Sequence, residues 1–108
     1  METTNLMNLD ADQCNEMISK TNNVVVDVWA EWCGPCRSLS PTLEEFAINN
    51  PDVTVIKVNA DDSPDFCADH GVRALPSVLF FKDGEYKERL VGNNSLNRFQ
   101  EVKDVIFK

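Results

Sequence analysis

A chain of 108 residues is enough for one packed core, since single domains run from roughly 50 to 250 residues. Its 43% hydrophobic and 26% charged content fits a folded protein and excludes a disordered one. Ten Lys and Arg against 18 Asp and Glu leave a net charge of −8, a surface that repels nucleic-acid phosphate and anionic lipid and so argues against general nucleic-acid or membrane binding.

The opening Met1-Glu2-Thr3-Thr4-Asn5 carries no basic segment followed by an apolar one, and no apolar run approaches the ~20 residues of a membrane span. A cytoplasmic setting is expected. A short first strand is predicted over Asn5 to Leu9. Asp10 then caps a helix to about Lys20, with Cys14, Met17 and Ile18 on one buried face. Val24 to Ala30 is a nearly continuous β-branched run, the pattern of a strand covered on both faces, and Trp29 within it is expected in the core. Glu31-Trp32-Cys33-Gly34-Pro35-Cys36 follows and opens a helix to about Asn49, in which Leu39, Leu43, Phe46 and Ala47 recur at helical spacing and Pro41 is expected to kink the axis.

Val53 to Asn59 predicts another strand. Ser63-Pro64 marks a helix start with a capping hydroxyl, and Gly71 a stop. Leu75 to Phe81 predicts a strand entered through Pro76, and Asp83-Gly84 a two-residue hairpin into Glu85 to Val91. Ser95 caps a final helix with Leu96, Phe99, Val102 and Ile106 on one stripe. The order is βαβαβαββα in a single α/β domain over residues 1–108, with a mixed sheet between helices.

Four cysteines, at positions 14, 33, 36 and 67, are too few for a secreted disulfide scaffold, so a close pair is expected to be reactive or metal-binding. Cys33 and Cys36 fall where a buried strand gives way to a helix. The first amides of a helix lack intrahelical partners and the macrodipole adds positive charge there, so a thiolate at Cys33 is favoured and its nucleophilicity at neutral pH rises. Cys36, one turn on, is within disulfide reach and more shielded. The residues therefore assign Cys33 as the exposed nucleophile and Cys36 as the resolving thiol. Gly34 keeps the approach open, and Pro35 stiffens the ring at no hydrogen-bond cost.

Asp27 lies between valines in a buried strand, where desolvation raises a carboxyl's pKa. It is the candidate for exchanging a proton with Cys36. Lys57, mid-strand in an apolar run, is the supporting neighbour. Cys14 is expected as a small buried hydrophobe, and Cys67 as partly exposed and available for regulation or dimerisation.

The segment Val26-Asp27-Val28-Trp29-Ala30-Glu31-Trp32-Cys33-Gly34-Pro35-Cys36, with Pro41, Lys57, Arg73-Ala74-Leu75-Pro76-Ser77, Lys82-Asp83-Gly84 and Val91-Gly92 in order, resembles the thioredoxin family over essentially the whole chain. The resemblance implies the thioredoxin fold, a central mixed five-stranded sheet flanked by four helices. It implies a protein-disulfide reductase that cycles a Cys33–Cys36 disulfide with no bound cofactor or metal, keeps cytoplasmic clients reduced and donates electrons to reductive enzymes. A separate flavin- or ferredoxin-linked thioredoxin reductase would restore the dithiol, and the protein would act as a monomer. It further implies that the Leu75–Pro76 bond is cis, that Leu75 offers backbone groups to an extended client segment, and that Trp32, Gly34, Leu75, Pro76 and Gly92 line the docking surface. Arg37 stands where many relatives have lysine, and His70, Ala74 and Asn93-Asn94 depart from the common pattern.

Two other readings stand beside it. A zinc site could pair Cys33 and Cys36 with Cys67 and His70, and a non-catalytic subunit could use the same surface to hold a larger enzyme such as a polymerase.

Overall fold

The computed structural model describes residues 5–108. Five strands form one sheet: β1 Leu6–Asn8, β2 Asn23–Trp29, β3 Thr54–Asn59, β4 Ser77–Lys82 and β5 Glu85–Val91. Four α-helices accompany them: α1 Ala11–Lys20, α2 Gly34–Asn49, α3 Pro64–Asp69 and α4 Leu96–Ile106, with a short 3₁₀ turn at Ala60–Asp62 before α3. The spatial order is β1-β3-β2-β4-β5. The β1–β3 and β2–β3 pairs are parallel, while β2–β4 and β4–β5 are antiparallel.

The valine run of β2 explains its position. Val24 to Val28 are buried without interruption, which only a strand covered on both faces allows. Val25, Val55, Val78 and Phe80 face α2 and α4, meeting Leu39, Leu43, Phe46, Phe99 and Val102. Val24, Val26, Ile56, Leu79 and Phe81 face the other way, against Cys14 and Ile18 of α1 and Phe66 of α3. The period-two alternation of side chains thereby builds two cores from one sheet.

Local signals account for most boundaries. Asp10 and Gln13 form a reciprocal capping box at the start of α1, and Ser95 Oγ accepts from the Arg98 amide at 3.2 Å. The β4–β5 hairpin turns through Asp83 (φ 53°) and Gly84 (φ 86°), the left-handed pair that a two-residue turn of this twist requires. Helix α2 continues past Pro41 to Asn49; the ring nitrogen has no hydrogen to give to the Arg37 carbonyl.

Three expectations are corrected. Strand β1 is shorter than predicted, at Leu6–Asn8. Strand β4 opens at Ser77 rather than Leu75, since Pro76 offers no amide to the ladder. Ser63 stands at the start of α3 but its hydroxyl caps nothing. Its amide donates to the Ala60 carbonyl at 3.1 Å, closing the 3₁₀ turn, and the resulting torsions (φ −138°, ψ 53°) are not the extended ones that aim a capping oxygen at the next amides.

The far end of α2 is tied down by side-chain amides. Asn5 Nδ2 donates to the carbonyls of Ala47, Asn50 and Val53 at 2.8, 3.2 and 2.8 Å. Asn50 and Gln100 of α4 exchange amide hydrogen bonds at 3.0 and 3.3 Å. Removing the first set by Asn5→Ala should destabilise the protein by about 1–3 kcal/mol, the range for stripping partners from partly buried polar groups. Urea denaturation measures this, and an unchanged midpoint would mean that the α2 terminus holds itself.

Candidate active site

Helix α2 begins immediately after β2, separated from it by Ala30-Glu31-Trp32-Cys33. Cys33 is its N-cap, with extended torsions (φ −92°, ψ 107°), and Pro35 lies in the first turn. Where a capping residue usually presents an oxygen, Cys33 presents sulfur: its Sγ accepts from the Cys36 amide at 3.2 Å. The orphan amide expected at a helix start is thus aimed at the sulfur of the candidate nucleophile. Cys33 and Cys36 are joined as a disulfide, their Cα atoms 5.3 Å apart, inside the range a disulfide spans.

The expected contrast in exposure between the two cysteines is absent from this disulfide form. Cys33 is 4% and Cys36 5% exposed, because both pack with Ala30 under the flanks of Trp29 and Leu75. What separates them is hydrogen bonding, with the amide of Cys36 serving the sulfur of Cys33.

Asp27 is 1% exposed, and its Oδ1 has no hydrogen-bond partner among the described residues. It aligns with Lys57 of β3 and Val78 of β4 and shares the sheet face of Val25, the one covered by α2. Burial pushes its pKa up to about 7, with the Lys57 charge pulling the other way. Lys57 does not form an ion pair with it. The ammonium donates to Ser40 Oγ on α2 at 3.1 Å and lies 5.6 Å from the Trp29 ring centroid. A cleft of about 310 Å³, lined by Cys36, Ser40, Lys57 and Trp29 among others, opens here. Trp29, expected in the core, therefore borders the cleft as well as the cysteines.

The Leu75–Pro76 bond is cis, and Leu75 packs against the cysteine cluster. Pro76 is buried, and its carbonyl accepts from the Gly92 amide at 2.9 Å. That contact brings Gly92, at φ 94°, to the loop that carries the cis bond. Gly34 and Gly92 both have open space where a Cβ would stand. Trp32 is 69% exposed, and its indole donates to Asp61 at 3.0 Å. Val91, from the Val91-Gly92 pair, is half exposed. Sequence reasoning did not single out two residues here. Asp61 anchors Trp32 across 29 positions, with no local signal. Ser40 shares a helix face with Cys36 by its i, i+4 spacing, a signal that was available.

The remaining cysteines lie apart from this site. Cys14 is fully buried and its thiol is pushed up to about 12 by that burial. Cys67 is half-buried, its thiol raised by burial and then by Asp61, so both are poor nucleophiles at neutral pH. The His70 ring packs on Phe66 and meets Phe81 edge-on. Among the described residues no group of three or more His, Cys, Asp or Glu is placed to hold a metal ion.

A family model described as thioredoxin matches residues 5–104. The thioredoxin of Pyropia yezoensis is 40% identical over 84 residues, covering 77% of this chain and 78% of that one. Among solved structures, oxidised mitochondrial thioredoxin 3 of Saccharomyces cerevisiae superposes with a TM-score of 0.84 at 30% identity, covering 92% of this chain and 94% of that one. A mutant thioredoxin from Halobacterium salinarum does so with a TM-score of 0.89 at 25% identity, over 100% and 96%. A family model over residues 5–104, a relative at 40% identity and a solved structure that superposes over 92% of the chain place this protein in the thioredoxin family, as a thiol–disulfide oxidoreductase with a redox-active cysteine pair.

Proposed function

We propose that Cys33, Cys36 and Asp27 divide the protein-disulfide reductase reaction as follows. The Cys33 thiolate attacks one sulfur of a client disulfide, forming a mixed disulfide and releasing the other client sulfur as a thiolate that takes a proton from solvent. Cys36 then loses its proton to the Asp27 carboxylate and attacks Cys33 Sγ. The Cys33–Cys36 bond forms, the bond to the client breaks, and the second client sulfur leaves as a thiolate. Two electrons pass to the client, and the protein ends as the disulfide. The observation that carries this assignment is the Cys36 amide on Cys33 Sγ at 3.2 Å, which stabilises charge on that sulfur and not on its partner.

Trp32, Gly34, Leu75, Pro76 and Gly92 serve as the docking surface. Exposed indole, two glycines without obstruction and the edge of the cis-proline loop suit an extended client held mainly through backbone. The chain acts as one domain and one monomer, and two further cysteines left unpaired suit a reducing, cytoplasmic compartment. It passes electrons to reductive enzymes, binds no cofactor, and is recycled by a separate flavin- or ferredoxin-linked reductase, because one turnover leaves its own disulfide behind. Insulin reduction by dithiothreitol tests the activity. Precipitation of the freed chains should be markedly faster with catalytic protein, and a rate equal to dithiothreitol alone would overturn the reading.

A further inference from the structure

Lys57 and Asp27 are aligned across two parallel strands on the same sheet face, yet no ion pair joins them. The ammonium is committed elsewhere. It donates to Ser40 Oγ at 3.1 Å and lies over the Trp29 ring at 5.6 Å, on the wall of the cleft that Cys36 also lines. Ser40 is half-buried and sits one helical turn beyond Cys36, so the helix that carries the resolving cysteine also carries the acceptor that holds the lysine.

We propose that Ser40 is a positioning residue for the exchange step: its hydroxyl holds the Lys57 ammonium in the cleft, against Trp29, and so sets how closely that charge approaches the Asp27 carboxyl. This rests on the assignment of Asp27 as proton acceptor. The charged groups around Lys57 and Asp27 divide between two clefts. Lys57 faces Asp27 from β3, Cys36 comes from the first turn of α2, and β4 contributes the uncharged Val78. Glu31 and Arg37 stand at the cleft, the arginine donating to the Glu31 carbonyl. The other carboxylates near Lys57, Glu31 in this cleft and Asp10 and Asp62 in a second one, are exposed and solvated, so for an ammonium released from Ser40 the buried Asp27 oxygen, without a partner among the described residues, is the acceptor that gains most from its approach. A closer positive charge favours the carboxylate over the acid, so the carboxyl would stay ionised to lower pH.

The test is the titration of the Asp27 carboxyl by carbon NMR in the disulfide form of the wild type, Ser40→Ala and Ser40→Thr. The alanine variant should titrate lower by about half a pH unit or more, roughly threefold in the protonation ratio. The threonine variant, which keeps the hydroxyl, should return to the wild-type midpoint. An alanine variant titrating with or above the wild type overturns the proposal, as does a threonine variant that follows alanine. The acid limb of mixed-disulfide resolution should move down with the carboxyl in Ser40→Ala, and that effect should vanish in an Asp27→Asn background. A shifted titration together with wild-type resolution rates in Asp27→Asn would uphold the positioning by Ser40 and overturn the role of Asp27.

Discussion

Cys36→Ser is expected to stop the cycle halfway and leave the client covalently attached to Cys33. The replacement keeps the main-chain amide that donates to Cys33 Sγ, so the first attack proceeds. A serine hydroxyl is too weakly acidic to attack the mixed disulfide, so the second does not. With a client carrying one internal disulfide, intact-mass spectrometry should find an adduct equal to the sum of the two chains, lost on reduction. Cys33→Ser should form no adduct, and both variants should reduce insulin no faster than dithiothreitol alone. An adduct on Cys33→Ser, or turnover surviving in Cys36→Ser, would reverse or dissolve the assignment. Cys14 and Cys67 are not expected to substitute, since burial raises both thiols.

The second large effect is a pH dependence of stability that depends on Asp27. Its carboxyl ionises at about 7 in the folded chain against an ordinary value of 3.8. Between those values the unfolded chain has lost the proton that the folded chain retains, so the slope of unfolding free energy with pH is negative. The stabilisation is complete below pH 4, falls as pH rises, and is gone above about pH 7. At about 1.36 kcal/mol for each pH unit, the loss is roughly 4 kcal/mol. Denaturant unfolding of the disulfide form from pH 4 to pH 8 should show it as the difference between wild type and Asp27→Asn. The same difference at both ends would remove the buried carboxyl as its cause. His70 contributes the opposite sign. Its pKa is lowered by burial, then raised by Asp69 and lowered by Arg89, and its contribution is common to both proteins, so it cancels.

What the sequence makes legible, and what it does not, follows from how far each interaction reaches. The β2 run, the Asp83-Gly84 turn and the Asp10 and Ser95 caps each act within a few residues, and all appear where the pattern puts them. The Ser63 hydroxyl fails as a cap because the 3₁₀ turn before it sets its torsions, a competition that composition does not reveal. At the site, the cysteine pair and the buried carboxyl are readable because strand and helix adjoin in the chain. The Trp32–Asp61 and Lys57–Ser40 bonds are not, because each spans two elements brought together only by the β2–β3 alignment. The equal burial of both cysteines was likewise hidden, since the cis-proline loop that supplies Leu75 lies about forty residues downstream.

The donor that steadies Cys33 Sγ belongs to the peptide backbone at position 36, so every residue except proline can supply it. On the proposed division of roles, capture and release are therefore separable in inheritance. A descendant that mutates its second cysteine keeps the amide donor to its first, and a dithiol oxidoreductase becomes a monothiol one in a single codon change.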